Sequence, residues 1–329
     1  MPAISILMPI KNAGHFLIPC LESIIHQSLT DFELIGIDDG SADESLNRLK
    51  SYAAADHRIK VFSNQTPGII NALSLAFNHS KGKFIHRMDA DDVMPRDKLA
   101  TLHRLISTRT DKVVATGKVK YFSTQDVSPG YQRYQDWINS LSTNHRYQSH
   151  IYRECVVASP NWMVDRKCFE RDIIMNSLAY PEDYDLVLRW HQMGYIFICS
   201  EQITHLWRDH GDRTSRNSEI YDQNSFFKLK TSYFIKNEIN DDNQVQLIGA
   251  AEKGKKIAKI LINHGIKFQW FDLNQTVEKY GHQIRPVSEV NNKHPTILSA
   301  WPLVKSQQEK IVNYLDSKGL TFGNNLWLF

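Results

Sequence analysis

The sequence predicts an α/β protein, with a mainly parallel sheet flanked by helices and a smaller α/β unit near the carboxyl end. Three observations predict it. Apolar strand-like runs alternate with helical periodicity through the first third of the 329 residues, the β-α-β pattern of a parallel sheet. Polar and acidic turns stand where three of those strands run out: Pro9-Ile10-Lys11-Asn12, Asp38-Asp39 and Asp89-Ala90-Asp91-Asp92. A second alternation begins at Gln244, behind the polar stretch Asn240-Asp241-Asp242-Asn243.

The elements follow in order. Ser5–Ile10 reads as a buried strand, and Ala13–Gln27 carries Phe16, Leu17, Cys20, Leu21, Ile24 and Ile25 at helical spacing. Glu33–Ile37 is a second strand. Ser41 then suits the N-cap of a helix through Leu46, Leu49 and Tyr52, with Glu44 completing a capping box. Arg58–Ser63 is a strand, Ile69–His79 a helix stopped by Gly82, and Phe84–Met88 a fourth strand. Val113–Phe122 reads as a long strand and Tyr131–Tyr152 as helix-compatible. Pro181-Glu182-Asp183-Tyr184 opens a helix that stops at Gly194, since proline and acids favour a first turn and glycine a terminus. Ser225–Glu238 is amphipathic. The second alternation reads as strand Gln244–Ile248, turn Gly249–Gly254, helix Lys255–Asn263, strands Phe268–Phe271 and Thr296–Ala300, and helix Gln307–Asp316. The expected organisation is residues 1–224 as one domain, 225–243 as connecting helix and linker, and 244–329 as an accessory domain.

Composition narrows the function classes. Lys and Arg number 39 against 36 Asp and Glu, a net charge of +3, too small to argue for nucleic acid as a partner. No apolar run approaches the ~18 residues of a membrane-spanning helix, and the amino terminus lacks a basic leader. Cys20, Cys155, Cys168 and Cys199 show no Cys-x-x-Cys spacing and read as reduced thiols. The expectation is a cytoplasmic protein. Ser225–Lys236, with Phe226, Phe227, Lys228, Lys230, Phe234 and Lys236, either packs on the accessory domain or touches the inner face of a membrane.

Asp89, Asp91 and Asp92 crowd like charges at a strand end, which a cation or hydrogen bonds must offset. Oxygen ligands suit a hard divalent ion, and one or two carboxylates commonly share such an ion with substrate phosphates. Ligands of parallel sheets bind beyond the carboxyl ends of the strands, where all three polar turns fall. Helix N-termini also favour acids, so capping stands as the alternative for Asp38, Asp39, Asp89–Asp92 and Glu182–Asp185.

Taken together and in this order, the motifs resemble family 2 glycosyltransferases of the GT-A fold. The likeness runs over most of Ser5 to Arg216 and ends in Trp207-Arg208-Asp209-His210 with Ser215. It implies inverting transfer of a sugar from a nucleotide-sugar, a UDP-sugar in the first instance, to a hydroxyl of a glycan or lipid-linked acceptor in surface polysaccharide or lipopolysaccharide synthesis. Mn²⁺ or Mg²⁺ is the implied cofactor. By the resemblance, Asp91 is the primary metal ligand, and Asp89 meets the ribose or, through water, the metal. Asp39 with Asp38 meets the uracil ring; Pro9, Lys11 and Asn12 wall the base and ribose pocket, and Arg87 joins the nucleotide site. Asp92 and Glu182 support the loop or face the donor sugar. Asp183 is the general base, expected to be kept ionised by its helix N-terminus. His205 or His210 stands near the metal, and Arg208 or Arg213 near the diphosphate. Two positions depart from the family pattern, Ser74 for a frequent Asn and Lys11 for a usual aromatic.

The accessory domain resembles a degenerate dinucleotide-binding half. Gly249 and Gly254 keep the ends of the fingerprint, Ala251 replaces its middle glycine, and Asp272 sits near the place of the ribose-binding acid. Two further readings stand beside the transferase: a bifunctional nucleotide-sugar-modifying enzyme holding NAD at Gly249–Gly254, and a non-catalytic nucleotide-sugar-binding scaffold.

Overall fold

The structure, a computed structural model, describes residues 1–109, 112–124, 126–144, 147–172, 180–211, 213, 223–239, 244–273 and 277–329. The chain divides into two compact units, Met1–His145 with Val157–Asn217, and Arg146–Val156 with Ser218–Phe329. In the first unit the elements are β1 (Ile4–Ile10), α1 (Leu17–Ile25), β2 (Phe32–Asp38), α2 (Ser45–Ala55), β3 (Ile59–Ser63), α3 (Ile69–His79) and β4 (Phe84–Arg87). They continue as α4 (Lys98–Ile106), β5 (Val113–Phe122), α5 (Pro129–Asn144), β6 (Trp162–Asp165), α6 (Arg166–Asp172), α7 (Glu182–Gln192) and β7 (Ile196–Arg208).

Its seven strands lie in the order β3-β2-β1-β4-β6-β5-β7, parallel except for β6, which runs against β4 and β5. The chain winds outward from β1 to β3 and then returns to place β4 on the other side of β1. That reversal opens a crevice at the carboxyl ends of β1 and β4, where Pro9–Asn12 and Asp89–Asp92 begin. Alternation along β1 sends Ile4, Ile6, Met8 and Ile10 to the face that packs Leu17, Cys20, Leu21 and Ile24 of α1 with Leu99, Leu102 and Ile106 of α4. Within the other set of β1 side chains, Ser5 donates to Glu33 at 2.6 Å, and Lys60 holds the same carboxylate at 2.6 Å.

The expected capping box is not formed. The helix starts at Ser45 with Glu44 as its N-cap, and Glu44 makes no capping bond. Ser41 Oγ instead accepts the Asn12 N–H at 3.0 Å, and Asn12 Oδ1 accepts the Ala42 N–H at 2.8 Å. A reciprocal link between two strand-end loops has taken the place of a local cap. Helix α7 does start at the expected acids and stops before Gly194.

The second unit holds α8 (Gln223–Glu238), β8 (Gln244–Ile248), α9 (Glu252–Asn263), β9 (Lys267–Asp272), β10 (Glu278–Lys279), β11 (His282–Pro286), β12 (Thr296–Leu298), α10 (Lys305–Ser317) and β13 (Leu326–Leu328). Its strand order is β10-β11-β9-β8-β12-β13, parallel but for β10. Helix α8 belongs to this unit, as does the segment 146–156, which the sequence reading left with the first domain. Aromatic packing explains both: Phe234 meets Tyr152, Trp327 and Phe329 edge-on, and Tyr152 donates to Glu238 at 2.8 Å.

Part of Ser225–Lys236 follows the packing reading. Phe227, Lys230, Thr231 and Phe234 are buried, and Lys230 Nζ donates to the Arg153 carbonyl at 3.1 Å. Burial brings the Lys230 ammonium down to about 7. Lys228 and Lys236 on the same helix are exposed. Among the described residues no helix is long and apolar enough to cross a membrane, and all four cysteines are free thiols.

Candidate active site

The strand ends of the first unit gather the polar turns the sequence singled out. At the end of β2, Asp39 is held by two donors. Both its oxygens lie 3.0 Å from the Gly68 N–H, and Asn64 Nδ2 donates at 2.6 Å. Gly68 reaches it with φ +132°, a backbone that only glycine adopts without strain. Lys11 Nζ stands 3.9 Å away on a half-exposed side chain, a screened pair worth about 0–1 kcal/mol. Asp38 accepts the Ser41 N–H at 3.3 Å. The Asn12 side chain, expected to wall a pocket, is engaged by the Ala42 N–H, and Pro9 lies within β1, paired with Ile37. Tyr180, which the sequence reading passed over, has its hydroxyl 3.8 Å from where a Gly68 Cβ would stand; burial, Glu182 and Asp39 all raise its phenol.

At the end of β4, Arg87 forks between two elements. Its Nε donates to Asp89 at 2.9 Å and its Nη1 to Glu182 at 3.1 Å. Arg87, expected at the nucleotide, is therefore a buried clamp between the acidic loop and the first turn of α7. That clamp holds Asp183 beside the same loop. Asp183 is half-buried and accepts the Tyr184 N–H at 2.8 Å. The expectation that a helix N-terminus keeps its pKa low is overturned. Burial and the adjoining Glu182 carboxylate push Asp183 up to about 7, against the pull of Arg87.

Asp91 meets His210, with Oδ2 and Nε2 2.9 Å apart. Burial works against the Asp91 charge, but the His210 hydrogen bond and the Arg213 field hold the carboxyl below its usual range. His210 packs on Phe16 with ring centroids 4.4 Å apart, and its buried Nδ1 has no hydrogen-bond partner among the described residues. Two donors converge here, and a divalent ion of this class needs few protein ligands when phosphates supply the rest. Among the described residues no set of three His, Cys, Asp or Glu forms a complete cage. The pair Asp91–His210 therefore fits a divalent ion shared with a diphosphate, and it does not fit a closed structural site.

His205 is different. Its Nε2 lies 3.0 Å from Asp92 Oδ2 and its Nδ1 3.0 Å from Lys98 Nζ, so both ring nitrogens are engaged by protein groups. Asp92 faces no open space either, since its other oxygen accepts the Arg208 N–H at 2.8 Å. Burial, then Asp91, raises the Asp92 carboxyl well above its usual range, and burial brings Lys98 down to about 7. Arg208 Nε donates to the Asp91 carbonyl at 2.7 Å, with its guanidinium over Phe16 and Phe122. Arg213 Nη1 donates to the Arg208 carbonyl at 3.0 Å and lies over Trp207. The signal that could have found Lys98 is its place four residues before Leu102, on the apolar stripe of α4. Ser215 lies outside the described residues.

The Gly249–Gly254 turn of the second unit is closed on itself. Asp272 Oδ2 accepts the Ala250 N–H at 2.7 Å, Lys279 Nζ donates to the Ala250 carbonyl at 3.0 Å, and a Cβ on Gly254 would lie 2.0 Å from the Gly249 carbonyl oxygen. The acid that would read a ribose is occupied by the turn itself.

Relatives agree with the first unit. An uncharacterized glycosyltransferase of Haemophilus influenzae is 25% identical over 295 residues, 85% of this chain and 88% of the relative. Glycosyltransferase GlyG of Streptococcus pneumoniae is 29% identical over 119 residues, 36% of this chain and 40% of GlyG. The chondroitin synthase of Pasteurella multocida is 25% identical over 244 residues, 70% of this chain but 23% of that protein. Among solved structures, S. aureus TarS 1-349 in complex with UDP-GlcNAc superposes with TM-score 0.57 at 17% identity, covering 79% of this chain and 72% of that one. Mannosyltransferase PcManGT from Pyrobaculum calidifontis, in complex with GDP-Man and Mn²⁺, gives TM-score 0.52 at 16% identity, covering 71% of this chain and 64% of that one. Those two likenesses show the fold, a GT-A-type domain followed here by a smaller Rossmann-like one. The model of glycosyl transferase family 2 matches residues 5–172, half of the chain, and the protein belongs to that family of glycosyltransferases.

Proposed function

We propose that the first unit transfers a sugar from a UDP-sugar to a hydroxyl of a glycan or lipid-linked acceptor, with inversion at the anomeric carbon. The observation that carries this reading is the Arg87 fork, which brings Asp183 to the loop bearing Asp89 and Asp91. A base and an acidic diphosphate loop must lie on either side of one sugar for an in-line displacement, and a single cation ties them together here. TarS in complex with UDP-GlcNAc and the chondroitin synthases give the precedent for a UDP donor and a polysaccharide acceptor.

In this mechanism Asp39 accepts a hydrogen bond from an N–H of the donor base, held in place by Gly68 and Asn64. Asp183 takes the proton of the acceptor hydroxyl as its oxygen closes on the anomeric carbon, from the side opposite the diphosphate. A pKa raised to about 7 suits that role at neutral pH, where the group can both accept and release a proton. Asp91 and His210 are the residues that would hold Mn²⁺ or Mg²⁺, and such an ion supplies Lewis-acid stabilisation of the departing diphosphate. Arg208 and Arg213 add positive potential beside the same loop.

The test is Asp183→Asn assayed for transfer and, separately, for UDP affinity. Loss of transfer with UDP affinity kept within about threefold supports the base assignment; a fully active variant refutes it.

A further inference from the structure

Lys98 is 1% exposed and has no part in the mechanism above, yet its ammonium stands directly behind the acidic loop. An unpaired buried ammonium is among the costliest groups a core can hold, so its partners matter. They are two. Lys98 Nζ donates to the Pro160 carbonyl at 2.7 Å and lies 3.0 Å from His205 Nδ1. An ammonium has donors only, so Nδ1 accepts and the ring proton sits on Nε2. That proton points at Asp92 Oδ2, 3.0 Å away. Asp92 Oδ1 accepts the Arg208 N–H at 2.8 Å, and Arg208 Nε returns to the Asp91 carbonyl at 2.7 Å. The line of hydrogen bonds runs from α4 through β7 to the backbone of the residue that meets His210.

We propose that Lys98 is a positioning residue for the Asp91–His210 pair, setting through His205 the orientation of Asp92 and so the seat of the 89–92 loop against Arg208. The proposal rests on the donor-site reading above. A bond from Lys98 fixes which ring nitrogen of His205 carries hydrogen, much as outer partners of a ligating histidine fix its tautomer. Without it, Nδ1 is left to find a proton, and Nε2 then loses the hydrogen it offers Asp92. The Asp92 carboxylate would turn, and Arg208 would lose the acceptor that aligns its backbone. Asp91 and His210, 2.9 Å apart, tolerate little such drift if one ion is to take both. Lys98 touches neither nucleotide nor sugar, so its influence falls on the ion and not on the base pocket at Asp39.

The full-length chain with Lys98→Met and Lys98→Gln tests this by Mn²⁺ titration at saturating UDP, followed by electron paramagnetic resonance of the free ion. UDP titration in EDTA is the companion measurement. Lys98→Met is expected to weaken Mn²⁺ at least tenfold and to leave metal-free UDP binding within twofold. Lys98→Gln keeps N–H donors for Pro160 and His205, and should recover at least half of that loss on a logarithmic scale. Unchanged Mn²⁺ affinity in folded Lys98→Met overturns the proposal. So does an equal loss of Mn²⁺ and metal-free UDP binding, which marks general disruption of the unit. If Lys98→Met does not fold, His205→Gln, which keeps an N–H toward Asp92, must bind Mn²⁺ more tightly than His205→Leu; equal affinities overturn the proposal. A wild-type protein that binds no Mn²⁺ with UDP sinks the donor-site reading instead, a result distinct from all of these.

Discussion

The chain builds a parallel β-α-β arrangement twice, and the two copies treat their strand ends in opposite ways. In the first unit the loops after β2 and β4 carry carboxylates that protein donors orient. Asp39 sits buried on Gly68 and Asn64, and Asp91 meets His210 with part of its surface open. In the second unit the loop after β8 is satisfied by its neighbours, since Asp272 at the end of β9 accepts the Ala250 N–H and Lys279 of β10 donates to the Ala250 carbonyl. Topology alone therefore does not make a nucleotide site. What decides is whether the strand-end donors and acceptors are left for a ligand or satisfied inside the turn.

The largest effect expected from breaking this contrast is at Asp183. Asp183→Asn should lower transfer about 10³-fold, within the range for loss of a general base. It should also alter stability with a definite sign. The folded pKa of Asp183 lies above its ordinary value, so the fold disfavours the charged form, and that penalty builds as pH rises from the ordinary carboxylate range and is complete above the folded value of about 7. The variant should melt higher than wild type at pH 8 and lose most of that advantage by about pH 4; melting curves at the two values decide it.

The next effect is the pH profile of the wild type. Because the ionised carboxylate is the working base, kcat should fall about tenfold per pH unit on the acid side of an inflection near 7, and be flat just above it. An inflection near 4 would mean that binding of donor and acceptor restores an ordinary carboxylate.

Much of the first unit was legible because the signals are local. Strand–helix alternation, the acids at strand ends and the Pro181–Gly194 helix depend on neighbours in sequence. The remainder depends on contacts across it. Ser41 could cap its own helix but faces Asn12, 29 residues away. Lys98 and His205 meet across 107 residues; the apolar stripe of α4 turns Lys98 inward, but nothing near either residue names its partner. The raised Asp183 has the same origin, since a first-turn acid reads as stabilised until Glu182 and burial are counted. The segment 146–156 reads as the tail of α5, and it joins the second unit because Tyr152 finds Phe234 and Phe329 there and the Arg153 carbonyl accepts from Lys230.

Smaller effects sharpen the contrast from either side. Asp39→Asn keeps an acceptor for Gly68 but loses the charge, and should weaken UDP about tenfold by calorimetry, the cost of a charge-assisted bond reduced to a neutral one. Asp272→Ala should leave UDP affinity unchanged and cost about 1–3 kcal/mol of stability, because the Ala250 N–H loses its partner. Denaturant melts of the variant measure that loss. NAD binding to the wild type that Asp272→Ala abolished would erase the contrast altogether.

The central claim is that the donor site lies at the acidic loop of the first unit. Its most direct test is calorimetric titration of UDP into the protein with and without Mn²⁺, repeated for Asp91→Ala, with GDP, CDP and NAD alongside. UDP binding is expected to tighten at least tenfold with the ion and to lose this gain in Asp91→Ala. Binding of NAD alone, indifferent to Mn²⁺ and to Asp91→Ala, would contradict it and move the ligand to the second unit.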